Sequence, residues 1–185
     1  METTRSITVR VHHARDIKNT KPEMSEVAQS PFVRVAILKP GHSSAEPKAQ
    51  DSCVAQNGGV NPTWDKNFLR DFSFNVDDFD LSTPGKNFLT VKILAKNKYF
   101  PNRSIGEALI PLAGLKESPT NDVTSYPLVI STGGCLGRRT CQGTVSLTIS
   151  VGPIVKTPRY RPCAGTKSSG GPDMLPGMAF GYAMG

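Results

Sequence analysis

The chain has 185 residues, room for one domain of about 150 residues and an appendage. Residues of the AVILMFWYC set make up 37% and charged residues 20%, a globular balance that excludes an acidic disordered chain and a supercharged arm. Lys and Arg total 22 against 15 Asp and Glu, and the resulting net charge of +7 favours anionic partners, phospholipid or nucleic acid, without specifying one.

In chain order, apolar residues recur with a period of 2. Ile7, Val9 and Val11 alternate with Thr8, Arg10 and His12, and Val33, Val35 and Ile37 alternate with Arg34, Ala36 and Leu38. A weaker strand is expected around Ser52–Ala55. Phe72, Phe74 and Val76 follow, then Leu89, Val91 and Ile93, then Glu107–Leu112, which ends at a proline. Tyr126, Leu128 and Ile130 precede a Ser131–Gly134 turn, and Val145, Leu147, Ile149 and Val151 close the series. No long stretch shows an apolar stripe of period 3.6, and Pro22–Ala28 makes one helical turn at most. Eight short strands between Gly, Pro, Asn and Asp clusters predict an all-β chain, an eight-stranded antiparallel β-sandwich over about 4–152. Trp64, the single Trp, is expected to fill the interior with Phe72, Phe74, Leu89, Val91 and Leu147. Gly106 reads as a backbone requirement at a strand start.

The segment 153–185 holds 6 Gly and 5 Pro in 33 residues, too little apolar surface to offset its ordering entropy, and is expected to be a disordered tail. Its apolar, Gly/Pro-punctuated end, Met174–Met184, is either a plain tail or a sticky docking segment. Met1–Arg5 lacks the apolar core of a secretory signal, Glu2 stands where myristoylation needs Gly, and no cysteine for prenylation closes the sequence. No run of about 18 apolar residues forms a membrane-spanning helix. The expectation is a cytoplasmic protein, peripheral on membranes. There Cys53, Cys135, Cys141 and Cys163 are reduced thiols by default, although a hairpin could bring Cys135 and Cys141 together. His12, His13 and His42 are read as strand-edge and loop residues, and no zinc spacing is present. No G-x-S-x-G, H-E-x-x-H, P-loop or Cys/His pair points to catalysis, so the chain is read as a non-enzyme. Aromatics at 7% and the lack of a recognition-module signature argue against nucleic acid.

The order of features resembles the C2 domain family. Ile7–Val11 leads into Ala14-Arg15-Asp16-Ile17; Ser30-Pro31-Phe32-Val33-Arg34-Val35 follows, then Asn61-Pro62-Thr63-Trp64, and Ile105-Gly106-Glu107 opens a late strand. The closing stretch, Ser125–Val129 and Gln142–Leu147, is similar to small plant proteins of the soybean cold-regulated type, which carry one C2 domain and a Gly/Met-rich tail. The resemblance implies phospholipid binding, usually through calcium held by carboxylates on two loops, since a hard dication needs 6–8 oxygen ligands. At the matching late-loop positions this sequence has Ala95, Asn97 and Arg103. In the early loop it has Ser30, with a second position falling near Lys21. Asp16 matches a structural position rather than a ligand. Metal binding is therefore not expected, and no cofactor is implied.

In place of the acids, the 95–103 loop carries Lys96, Lys98 and Arg103 with Tyr99 and Phe100, a set suited to anionic headgroups without metal. The same loop also reads as an ordinary solvated turn with Phe100 tucked onto the sandwich. Lys96, Lys98, Phe100 and Arg103 are the candidate lipid contacts, and Arg10, Arg34 and Lys92, on outward strand faces, extend the basic surface. Asp77, Asp78 and Asp80 form the single acidic cluster and are read as a solvated turn. The expected function is a calcium-independent membrane-targeting or adaptor module that binds anionic phospholipid and a protein partner. The resemblance places it in plant stress or defence signalling. The competing reading is a protein–protein scaffold without lipid affinity.

Overall fold

The computed structural model describes residues 2–21, 28–39, 49–64, 71–78, 81, 83–85, 87–113, 115, 122–131 and 139–157. Eight strands run along it: β1 (Glu2–Arg15), β2 (Pro31–Leu38), β3 (Gln50–Asp51), β4 (Phe72–Asp77), β5 (Phe88–Ala95), β6 (Arg103–Pro111), β7 (Thr124–Ser131) and β8 (Arg139–Thr157). All pairings are antiparallel, in the order β3-β2-β5-β6-β7-β8-β1-β4. The array folds over at the β6–β7 junction, where Glu107 and Val129 form the one register pair among the described residues. Two layers result, β3-β2-β5-β6 and β7-β8-β1-β4, as the sequence pattern predicts.

Alternation builds the core. On β4, Phe72, Phe74 and Val76 are buried while Ser73, Asn75 and Asp77 are exposed. Ile7, Val9 and Val11 from one layer meet Val33, Val35, Leu89, Val91 and Ile93 from the other in a single cluster, with Leu147 beside them. Trp64 joins that cluster at 4% exposure. Fully burying side chains of this size stabilises by about 1.5–3 kcal/mol each, which fixes the register, since a slip of one residue would turn each apolar row outward.

Four features depart from the sequence reading. First, β8 passes the expected boundary at Gly152 and runs to Thr157. Arg5 pairs with Ile154 and Ile7 with Val151, so Gly152 and Pro153 together oppose Ser6 in a β-bulge. A Gly–Pro pair that reads as a breaker is tolerated at a bulge, where a missing N–H costs no ladder bond. Residues 158–185, which hold most of the expected tail, lie outside the described residues.

Second, regular pairing of β3 is confined to Gln50 and Asp51. Ser52 and Ala55 still donate to the Val33 and Pro31 carbonyls at 2.8 Å each. Three residues on one side span two on the other, and the ladder is irregular for that reason. Third, β6 begins at Arg103 rather than Glu107. Fourth, what favours glycine at 106 is a close approach and not a special φ: a Cβ there would lie 3.1 Å from Leu128 Cβ, which would have to give by a few tenths of an ångström.

Candidate functional site

One end of the sandwich is organised by a short rung of paired residues. Pro31 stands opposite Ala95, and Ala95 opposite Arg103, so the chain entering β2, leaving β5 and entering β6 converges there. The loop before β2 is held from within by Gln29, which is 1% exposed. Its Nε2 donates to the Lys18 and Gly59 carbonyls at 3.0 and 2.9 Å, and its Oε1 accepts from Thr20 N and Thr20 Oγ1 at 3.1 Å. Such full satisfaction is what allows a side-chain amide to be buried. Sequence reasoning missed Gln29; a lone Gln before a strand carries no pattern that marks it.

The loop after β5 docks on this frame. Lys96 N donates to the Ser30 carbonyl at 3.0 Å, and Arg103 Nη1 reaches the Thr20 carbonyl at 3.0 Å. Two Asx-type bonds shape its tip, Tyr99 N to Asn97 Oδ1 at 3.3 Å and Asn97 N to Asn102 Oδ1 at 3.1 Å. Between the two loops lies an open groove of about 460 Å³, walled by Thr20 and Lys21 on one side and by Ala95–Lys98, Phe100 and Arg103 on the other. Lys96, Lys98, Phe100 and Arg103 are thus brought together. Lys21, near which the second early-loop position falls, joins them, its Nζ donating to the Ala28 carbonyl at 2.9 Å.

The groove's electrostatics follow from its lining. Among the described residues that wall it there is no carboxylate, and the bonds made by Arg103 and Lys96 go to neutral carbonyls. Tyr99 is 79% and Phe100 71% exposed, which excludes Phe100 being tucked onto the sandwich. Lys98 Nζ lies 5.3 Å from the Tyr99 ring centroid, within cation–π range. The compared positions hold two side-chain oxygens and no carboxylate: Ser30 Oγ, which accepts from Asn57 N at 3.2 Å, and Asn97 Oδ1, which accepts from Tyr99 N. Ala95 offers none.

The other candidates lie elsewhere. Arg10 grips Asp71 through two bonds of 2.7 Å on β1, and Arg34 grips Asp51 at 2.7 and 2.8 Å on β2. These strands belong to different layers, and each guanidinium is answered by a carboxylate. Lys92 stands in register between Arg34 and Glu107. Bidentate pairing offsets the charge of Arg10 and Arg34 locally, so of the expected extension across Arg10, Arg34 and Lys92 these two arginines each stand beside a carboxylate. The Arg10 hydrogen bond also holds the Asp71 carboxyl below its ordinary value.

Asp78 is bound by Arg5 at 2.6 Å, and Asp77 ends β4; Asp80 lies outside the described residues. His12 Nε2 meets Thr148 Oγ1 at 3.0 Å. Cys53 is exposed and Cys141 is a free, exposed thiol. Cys135, Cys163 and His42 lie outside the described residues, and the question of a Cys135–Cys141 pair falls there as well.

A family-wide sequence profile described as C2 domain matches residues 5–128. Comparison with curated proteins returns no match. Among solved structures, the chain is similar to a C2 domain of plant extended synaptotagmin 1, with a TM-score of 0.57 and 16% identity, over 82% of this chain and 96% of that one. It is also similar to human GIVD cytosolic phospholipase A2, with a TM-score of 0.54 and 15% identity, over 81% of this chain and 18% of that one. The match thus spans a small part of the phospholipase, and at these identities both likenesses concern the fold.

Proposed function

The chain belongs to the C2 domain family, and on that premise we propose that it is a calcium-independent, non-catalytic module that docks on anionic phospholipid surfaces and joins them to a protein partner. The observation that carries this reading is the groove between the two loops, where Lys96, Lys98 and Arg103 stand beside two exposed aromatics with no carboxylate among the described lining residues. At the end where relatives in the family gather acids around calcium, this chain supplies fixed positive charge directly.

Each basic residue near an anionic leaflet contributes about 1 kcal/mol. Phe100, at the loop tip, adds apolar burial among the acyl chains. Tyr99, with Lys98 over its ring, suits the headgroup level, where an amphipathic ring and a cation are both solvated. Lys21 adds its ammonium to the same wall. The resemblance of Ser125–Val129 and Gln142–Leu147 to small plant proteins of the soybean cold-regulated type supports a role in stress or defence signalling. A cytoplasmic location, peripheral on membranes, belongs to the same proposal.

The test is co-sedimentation with vesicles of neutral phosphatidylcholine and with vesicles of phosphatidylcholine mixed with anionic phosphatidylserine, each in calcium and in chelator. Binding to the anionic vesicles alone, equal in both conditions, is the expected result. Binding that needs calcium overturns the metal-free mechanism, and no binding at all leaves the scaffold reading in its place.

A further inference from the structure

The strand order leaves the array with two ends, β3 and β4, and no ladder joins them among the described residues. Across the seam, Gln50 Nε2 donates to the Ser73 carbonyl at 2.8 Å. Each residue of an antiparallel strand sends its N–H and C=O to one side, and successive residues alternate. Because Ser73 turns its carbonyl to the seam, Asn75 and Asp77 turn their main-chain groups the same way, while Phe72, Phe74 and Val76 bond to β1.

The opposite wall obeys the same parity. Val33 bonds Ser52 through both its carbonyl and its N–H, so Val35 and Ile37 also face away from β5. Val35 is taken up by β3 and Ile37 lies beyond it. A cavity of about 360 Å³ separates the two edges, bounded by Ile37, Lys39 and Gln50 on one side and Ser73–Asp77 on the other.

We propose that the outer edge of β4 is a docking site for an extended peptide segment of a protein partner. A row of main-chain donors and acceptors repeating every second residue, about 6.8 Å, is complemented by another extended main chain. A lipid headgroup or an ion has no such repeat. Ile37, Phe74 and Val76 line the cavity and select apolar side chains at alternate positions, and the exposed Asp77 carboxylate selects a Lys or Arg at one end.

The site stands independently of the membrane reading. Ile37 lies at the far end of β2 from Pro31, about 20 Å from the cationic groove at 3.4 Å per residue. Both surfaces can therefore be occupied at once.

The experiment pans a library of random linear heptapeptides against the full chain and follows the selected peptide by amide exchange in NMR. We expect enriched sequences to alternate apolar and polar residues. The Ser73, Asn75 and Asp77 amides should exchange quickly in the free chain and at least tenfold more slowly with peptide bound. Asn75→Pro should weaken binding at least tenfold at a nearly unchanged Tm, because the Asn75 N–H makes no bond to β1. Should that variant misfold, N-methylation of the peptide serves instead: methyl groups on alternate residues of one parity abolish binding and those on the other are tolerated.

Failure to enrich any peptide overturns the proposal. So does slow exchange of the three amides in the free chain, undiminished binding by Asn75→Pro, or equal tolerance of both methylation parities. Self-association of the free chain that Asn75→Pro removes assigns the edge to a second copy, and overturns the assignment to a partner.

Discussion

Arg103 and Arg10 are the same residue type with opposite electrostatic consequences. On the strand face, Arg10 is matched by Asp71 through two short bonds, and Arg34 by Asp51 likewise. At the loop end, Arg103 bonds a neutral carbonyl of Thr20 and Lys96 presents its main chain to Ser30. The bonds in the first region consume positive charge. Those in the second fix the loop and leave the charge facing outward. Net charge alone therefore says little about where an anion binds; what matters is whether the partner of each cation is itself charged.

The largest expected effect comes from reversing the loop. Lys96→Glu, Lys98→Glu and Arg103→Glu together should remove at least about 3 kcal/mol of membrane attraction, or more than about a hundredfold in affinity. The Tm should fall only slightly, because exposed charges contribute little to folding and the lost Arg103–Thr20 bond is a single exposed one. Wild-type binding should itself weaken steeply from low to physiological salt, since exposed charges are screened over about 8–10 Å. Retention of wild-type affinity by the triple variant would remove this loop as the contact.

Phe100→Ala comes next. A fully buried Phe contributes about 1.5–3 kcal/mol, and partial insertion at the interface should leave a loss of about tenfold. This loss should persist at high salt, where the lysine contribution has faded. Equal salt sensitivity in Phe100→Ala and Lys98→Ala would mean that the ring does not enter the apolar layer.

The contrast between the two regions also marks what the sequence could disclose. The strands, the core position of Trp64 and the cationic loop were readable, because apolar alternation and a Lys-Asn-Lys-Tyr-Phe run are local signals. Carboxylate pairing was not: Arg10 and Asp71 are separated by 61 positions, and nothing local links them. The start of β6 was hidden for a related reason, since Arg103 and Ser104 are exposed and lack the buried partner that makes alternation visible. The Gly152–Pro153 bulge escaped the sequence reading because a breaker in a lone strand becomes a tolerated irregularity once β1 lies alongside. Gln29 and Lys21 owe their roles to the meeting of two distant loops.

The smallest expected effect tests the paired region itself. Arg10→Ala removes the guanidinium that lowers the Asp71 carboxyl, chiefly through the hydrogen bond it donates. A lowered carboxyl contributes stability that is present in full above its ordinary value of 3.8 and is lost as the pH falls through the lowered value. At pH 7 the variant should therefore be less stable than the wild type. The deficit should stay under about 1 kcal/mol, because both side chains are well exposed and solvent screens the pair. In a chain of this size that is a shift in Tm of about 2–4 °C at most. The gap between the two melting curves should close as the pH falls below the ordinary carboxylate range, because protonated Asp71 gives Arg10 no charge to hold. Vesicle binding by Arg10→Ala should match the wild type, since the lost cation was already neutralised and lies on a strand face away from the groove. A drop comparable to that of Lys98→Ala would show that the paired face also meets the membrane, and that a carboxylate partner does not remove an arginine from the contact.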